Sequence, residues 1–240
     1  MFVLGIGFLL GLKHATDADH VVAVTTILSE HASLFRAGLV GVLWGVGHTA
    51  SLLLAGLALL FLRVAIPPPV ASLLELIVAL MIIFLGGRIL FLLFRGGETV
   101  HVHTHSHGGA SHSHLHFHSR DEAHELSTSH DRDHSSRADK LGWRPVVVGV
   151  VHGLAGSAAI TLLVLTEGAL GGSKILGVTY LVVFGVGSIG GMMLMSVLLG
   201  LPFVFTSVRF ERVNVPLRLV AGIGSVLFGA YYAWNHVLGA

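Results

Sequence analysis

Apolar side chains dominate the chain in six long runs, roughly 1–28, 37–62, 70–94, 145–166, 176–200 and 217–238. A helix needs about 20 residues at 1.5 Å each to cross the hydrocarbon of a bilayer, and each run reaches that length. The pattern therefore predicts six membrane-spanning helices. Pro67-Pro68-Pro69, Gly171-Gly172-Ser173 and Asn214-Val215-Pro216 fall between runs and read as breakers. One long polar stretch, residues 96–138, interrupts the series. With few apolar side chains and many Ser, Asp and Arg, it lacks the surface to bury for a core, and it reads as a disordered loop.

The first run carries an anomaly. Between two apolar flanks stands Gly11-Leu12-Lys13-His14-Ala15-Thr16-Asp17-Ala18-Asp19-His20. A Lys or Asp at the middle of a bilayer costs about 2.5–3.5 kcal/mol on insertion scales, so ionisable groups held there point to function. Two imidazoles and two carboxylates within seven residues are a donor set for a divalent cation. On a straight helix His14, Asp17 and His20 share one face, while Asp19 lies off it. Either the helix unwinds near Ala18 and turns Asp19 inward, or Asp19 steadies a ligating imidazole through its far ring nitrogen. Thr16 and Thr49 offer hydroxyls nearby. His48, buried in the second apolar run, joins the set, because a bilayer offers a lone imidazole little else.

The two halves of the chain resemble one another. Gly11-Leu12-Lys13-His14 parallels Gly149-Val150-Val151-His152, Trp44-Gly45-Val46-Gly47-His48 parallels Phe184-Gly185-Val186-Gly187-Ser188, and Phe84-Leu85-Gly86 parallels Leu227-Phe228-Gly229. All three need an offset of 138 to 143 residues. Three spans per unit is odd, so a duplicated unit enters the membrane inverted, as in many secondary transporters. The expected architecture is an all-α membrane protein of six transmembrane helices in two inverted three-helix repeats. Residues 1–94 form the first repeat, 95–142 the His-rich loop and 143–240 the second repeat. His152 is the partner of His14 and a further candidate ligand, whereas Ala155 and Ala158 stand where acidic and imidazole groups would be.

Composition narrows the chemistry. The chain is 53% hydrophobic and 11% charged, against about 25% charged in an average soluble protein. Cysteine is absent, which removes thiolate sites and disulfides, and a net charge of +1 gives no reason to expect a nucleic-acid partner. Imidazole with carboxylate suits nickel, cobalt, zinc, copper(II) or iron(II), and not magnesium or calcium. Eleven Lys and Arg fall on the side of loops one, three and five, against Arg63 and Lys174 on the other. By the positive-inside rule those loops are cytoplasmic, both termini lie outside, and the protein is a multi-pass cell-membrane protein in contact with lipid. The start of the chain, Met1-Phe2-Val3, has no basic leader, so no cleavable signal is expected. Residues 101–134 hold eleven of the seventeen histidines and read as a metal buffer. Protonation near pH 6.5 weakens such binding.

The His14–His20 segment has the form His-x4-Asp-His and resembles the signature helix of the NiCoT nickel/cobalt permeases within the NicO superfamily. Leu43-Trp44-Gly45-Val46-Gly47-His48-Thr49 resembles that family's second element. The family usually has eight spans and a Gly-Phe-Asp-Thr-Ala-Thr-Glu element. Here His152-Gly153-Leu154-Ala155-Gly156-Ser157 stands near its place, as in shorter, six-span relatives of the urease-accessory type. The resemblance implies a Ni2+ or Co2+ uptake permease whose selectivity residues match His14, Asp17, Asp19, His20 and His48. It implies no resident cofactor, the ion being the transported substrate. Cytoplasmic nickel-enzyme maturation proteins are the protein partners it suggests. Efflux, an intramembrane metal-dependent enzyme and a membrane-anchored metal chaperone are the rival functions.

Overall fold

The computed structural model describes residues 2–29, 33–62, 67–95, 99–107, 110–118, 142–155 and 173–235, the strands by their backbone. Within them lie helices α1 (Phe2–His14), α2 (Ala18–Leu28), α3 (Leu34–Leu62) and α4 (Pro68–Phe94). Strands β1 (Thr99–His107) and β2 (Ala110–His118) follow, then α5 (Arg144–Leu154), α6 (Lys174–Arg209) and α7 (Glu211–Ala233). Stretches of α3, α4, α6 and α7 are each long and apolar enough to cross a membrane, while α1, α2 and α5 are shorter apolar helices. Large apolar side chains such as Phe2, Phe35, Leu54, Phe84, Phe91 and Leu227 are exposed, as lipid-facing groups would be. The protein is a membrane protein built of α-helices, with one antiparallel pair of strands among the described residues.

The first apolar run is two helices in place of one. Thr16 and Asp17 are residues whose side chains compete for the backbone and favour turns and helix starts. The Thr16 amide and hydroxyl both donate to the Lys13 carbonyl, at 2.8 and 2.6 Å, and the Asp17 amide donates to the His14 carbonyl at 3.1 Å. Those i→i−3 bonds close α1. Asp17 is then extended (φ −61°, ψ 145°), and its carbonyl accepts the first bond of α2 from the Val21 amide at 3.0 Å. The unwound residues are Ala15–Asp17, just ahead of the expected point at Ala18.

Two other expectations change. Asn214-Val215-Pro216 does not separate the last two spans: it lies inside α7, and Phe210 is the break between α6 and α7. A proline six residues into a helix removes only one early bond, and membrane helices recover such losses locally. Asn214 Nδ2 also clasps the junction, donating to the Phe203 carbonyl at 3.3 Å and the Thr206 hydroxyl at 3.0 Å. The loop expected to be disordered carries β1 and β2, paired antiparallel from Thr99↔His118 to His107↔Ala110. Strict alternation with Val100, Val102, Thr104, Leu115 and Phe117 supplies the period of a strand, and Gly108-Gly109 in the sequence between is a hairpin dipeptide. The fourth expected span is described only as α5; its remainder from 156 lies outside the described residues.

Glycine sets how closely the helices approach. α1 and α3 both pack along α6, α5 packs along α3, and α4 along α7. A methyl group on Gly11 of α1 would run into the Phe184 carbonyl and the Ser188 amide of α6. One on Gly149 of α5 would run into the Trp44 carbonyl and the His48 amide of α3. Gly86 abuts the Gly222 carbonyl, and Gly229 abuts the Ala79 carbonyl. Small residues let backbones meet where lipid offers no hydrophobic drive between helices.

These contacts predict the effect of single methyl groups. Gly149→Ala should destabilise the purified protein by about 1–3 kcal/mol, the usual cost of overpacking. Gly5→Ala, where nothing lies within 4 Å, should leave it unchanged. Thermal unfolding in detergent, followed by size-exclusion, measures both.

Candidate metal centre

The break after α1 gathers the polar groups. His14 ends α1, Asp17 lies in the unwound turn, and Asp19 and His20 open α2. His48 comes from the middle of α3 and His152 from near the end of α5. His48 is fully buried, His20 and His152 are 2% exposed, and Asp17 is the most open of the group. Ring centroids lie 4.6 Å apart for His14–His20, 5.1 Å for His14–His48, 5.0 Å for His20–His48 and 4.2 Å for His20–His152. All six residues singled out in the sequence thus meet in one place.

Their hydrogen bonds assign separate tasks. His14 Nδ1 bonds Asp17 Oδ2 at 2.8 Å. Asp19 serves two rings, His20 Nδ1 on Oδ1 at 3.0 Å and His152 Nε2 on Oδ2 at 2.8 Å. A carboxylate only accepts, so each of these ring nitrogens carries the proton. The other nitrogen of each ring then carries a lone pair: His14 Nε2, His20 Nε2 and His152 Nδ1. His14 Nε2 faces His48 Nε2 at 3.0 Å, so His48 donates there and its own Nδ1 carries the lone pair. His20 Nε2, His48 Nδ1 and His152 Nδ1 are buried with no hydrogen-bond partner among the described residues. Buried polar atoms left unsatisfied are costly, and a soft or borderline cation relieves that cost.

Two overlapping groups can each surround an ion: His14, His20 and His48, and Asp19, His20 and His152. Donor atoms within each lie within 4.8 Å of one another. His20 belongs to both. Asp17 and Asp19 hold imidazoles through the nitrogen opposite the lone pair, the arrangement that fixes tautomer and ring angle in metal sites. The ends of α1 and α2 add to the field. Carbonyls at the C-terminus of α1 present partial negative charge to a cation, and the N-terminus of α2 steadies both carboxylates.

Some parts of the site were not foreseen. Trp44 stacks on His20 with centroids 5.6 Å apart and meets His152 edge-on at the same distance. It precedes His48 by four residues, so the two share a face of α3, and that spacing is the signal that locates it. Phe184 of α6 closes the His14 side at 5.7 Å. The Thr16 and Thr49 hydroxyls are spent on backbone, on the Lys13 carbonyl at 2.6 Å and the Gly185 carbonyl at 3.3 Å.

The described residues thus hold a buried, hydrogen-bonded ligand set contributed by both halves of a membrane protein. No protein-family model matches the chain, and no solved structure matches it. A curated relative does: the urease accessory protein UreH of Bacillus sp. (strain TB-90) is 33% identical over 233 residues, covering 97% of this chain and 91% of the relative. Identity at that level over nearly both full lengths shows that the chain belongs to the UreH family of urease accessory proteins.

Proposed function

We propose that the protein is a secondary permease that carries Ni2+ or Co2+ into the cytoplasm through the site between α1, α2, α3 and α5. The observation that carries this reading is the set of bare, buried imidazole lone pairs held open by two carboxylates. His14, His20 and His48 receive the ion, and His20 passes it to His152 because it belongs to both groups. Nitrogen and carboxylate donors without sulfur suit nickel, cobalt, zinc, copper(II) or iron(II) and disfavour copper(I); the choice of nickel or cobalt rests on the resemblance and on the urease accessory relative.

The repeated glycine contacts support two inverted three-helix repeats. Gly11 on Phe184 and Ser188 corresponds, at an offset of 138 to 140 residues, to Gly149 on Trp44 and His48. The helix pairings α1–α6 and α5–α3 exchange with each other when the halves are swapped, and α3–α6 and α4–α7 map onto themselves. Rocking of one repeat against the other would expose a midplane site to each side in turn. The Lys and Arg distribution supports a cytoplasmic His-rich loop with both termini outside.

A non-enzymatic role is consistent with the relationship to an accessory protein, and the relative's tie to urease agrees with nickel-enzyme maturation proteins as cytoplasmic partners. The membrane potential supplies the drive: a divalent charge moving inward through 100 mV gains about 4.6 kcal/mol, twice the single-charge figure.

Uptake of radioactive nickel and cobalt by intact cells tests the reading. At equal expression, His14→Ala, His20→Ala and His48→Ala should each cut uptake by at least about tenfold. Deletion of residues 101–134 should leave a substantial part of it. Lowered cellular nickel and cobalt on expression of the unaltered chain would instead establish efflux. Asp19→Asn should weaken nickel binding to the purified protein about 10–100-fold, the usual cost of losing a carboxylate behind ligating imidazoles. Equilibrium dialysis measures it.

A further inference from the structure

We infer that Trp44 and Phe184 are a pair of gates related by the internal repeat, each closing the ligand set toward one side of the membrane. The inference rests on the permease reading of the site. Its ground is position. α3 and α6 cross antiparallel, with Gly38 beside Val197, Gly45 beside Ile189 and Gly185 beside Thr49. Trp44 precedes His48 on α3 by four residues, and Phe184 precedes Ser188 on α6 by four, at an offset of 140 between the halves. Equivalent positions on antiparallel helices fall on opposite sides of their crossing, with the ligand set between. Both rings also touch the ligands. Trp44, 1% exposed, stacks on His20 and meets His152 edge-on, while Phe184, 4% exposed, lies 5.7 Å from His14.

Behind each ring the helices are sealed by apolar side chains. Trp44 packs in one cluster with Val24 and Leu28 of α2 and Ala37 and Val40 of α3, on the side where α2 ends and α3 begins. Phe184 packs with Leu10 and Leu52, on the side where α1 begins and α3 ends. One turn further out, Tyr180 and Leu181 pack with Val3 and Leu4. A divalent ion does not cross such layers while they stay dry, and apolar constrictions gate by wetting and drying. The backbone beside each ring is smooth. Gly-Val-Gly follows both aromatics, and its second glycine lies against a main-chain carbonyl, Gly47 on Val146 of α5 and Gly187 on Phe8 of α1. Surfaces without side chains do not interlock, which suits the small sliding of packed helices that opens one gate. The Trp44 Nε1–H is buried with no hydrogen-bond partner among the described residues, a cost that movement toward water would relieve.

The chain has no cysteine, so a single introduced thiol reports accessibility by itself. Ser188→Cys is nearly isosteric, and Ser188 is fully buried at the counterpart of His48. A membrane-impermeant methanethiosulfonate is applied to intact cells and to inside-out vesicles. Ser188→Cys alone should react slowly from both sides. Adding Trp44→Ala should speed the reaction at least about tenfold from one side only, and adding Phe184→Ala should do so from the opposite side. The Lys and Arg distribution makes the cytoplasmic side the one expected for Trp44→Ala. Should an alanine variant fail to fold, Trp44→Leu and Phe184→Leu keep bulk and should give milder changes of the same sidedness. Rapid reaction of Ser188→Cys alone, acceleration from both sides, acceleration from the same side by both substitutions, or no change in folded variants would overturn the gates. Thiol reactivity does not depend on which ion is carried or in which direction. Loss of the permease reading would therefore show in nickel and cobalt uptake and leave this result standing, while symmetric labelling with uptake intact would sink the gates alone.

Discussion

One carboxylate holds the molecule's chemistry in place. Asp19, at the head of α2, accepts from His20 on its own helix and from His152 on α5, which lies 133 residues further along the chain. By taking a proton-bearing nitrogen of each ring it turns two lone pairs toward the interior. It also joins the first half of the protein to the second at the depth where the apolar runs are interrupted. Without it the imidazoles would be free to rotate, and a buried, uncompensated set of nitrogens would be a burden on stability with no gain in binding. With it, the set is preorganised for a cation.

The backbone makes that carboxylate possible. A straight helix from residue 2 to 28 would carry Asp19 away from His14, and only the turn at Ala15–Asp17 lets His14, Asp19 and His20 share a site. The glycines of α1 and α5 do the complementary work. Their lack of side chains seats α1 on α6 and α5 on α3 so closely that His152 reaches Asp19, and His48 reaches His14. Local chain chemistry and helix packing are thus parts of one device. Unwinding supplies the donors, and close approach brings them together.

Much of this was legible in the sequence, because the bilayer makes polar residues conspicuous. His14, Asp17, Asp19, His20 and His48 stood out as charges and imidazoles in apolar runs, and His152 through its place in the internal repeat. The apolar lengths foretold the long helices α3, α4, α6 and α7. The division of labour between carboxylates and imidazoles was not legible, since it depends on which ring nitrogen faces which oxygen. Trp44 was hidden for a different reason: an aromatic in an apolar run reads as lipid-facing or core until its stacking partner is known. At Pro216 the local signal misled, because a proline early in a membrane helix is tolerated. In the loop, low apolar content suggested disorder, whereas the alternation of His with Val, Leu and Phe carries the period of paired strands.

The central claim is that buried imidazoles, held by Asp17 and Asp19, form the first ring of atoms around the transported ion. X-ray absorption of the nickel-loaded protein lacking residues 101–134 addresses it without interference from the loop. The account predicts a nickel spectrum with the multiple-scattering pattern of about three imidazoles, lost on His48→Ala. A spectrum of oxygen ligands alone, or one unchanged by that substitution, would contradict it.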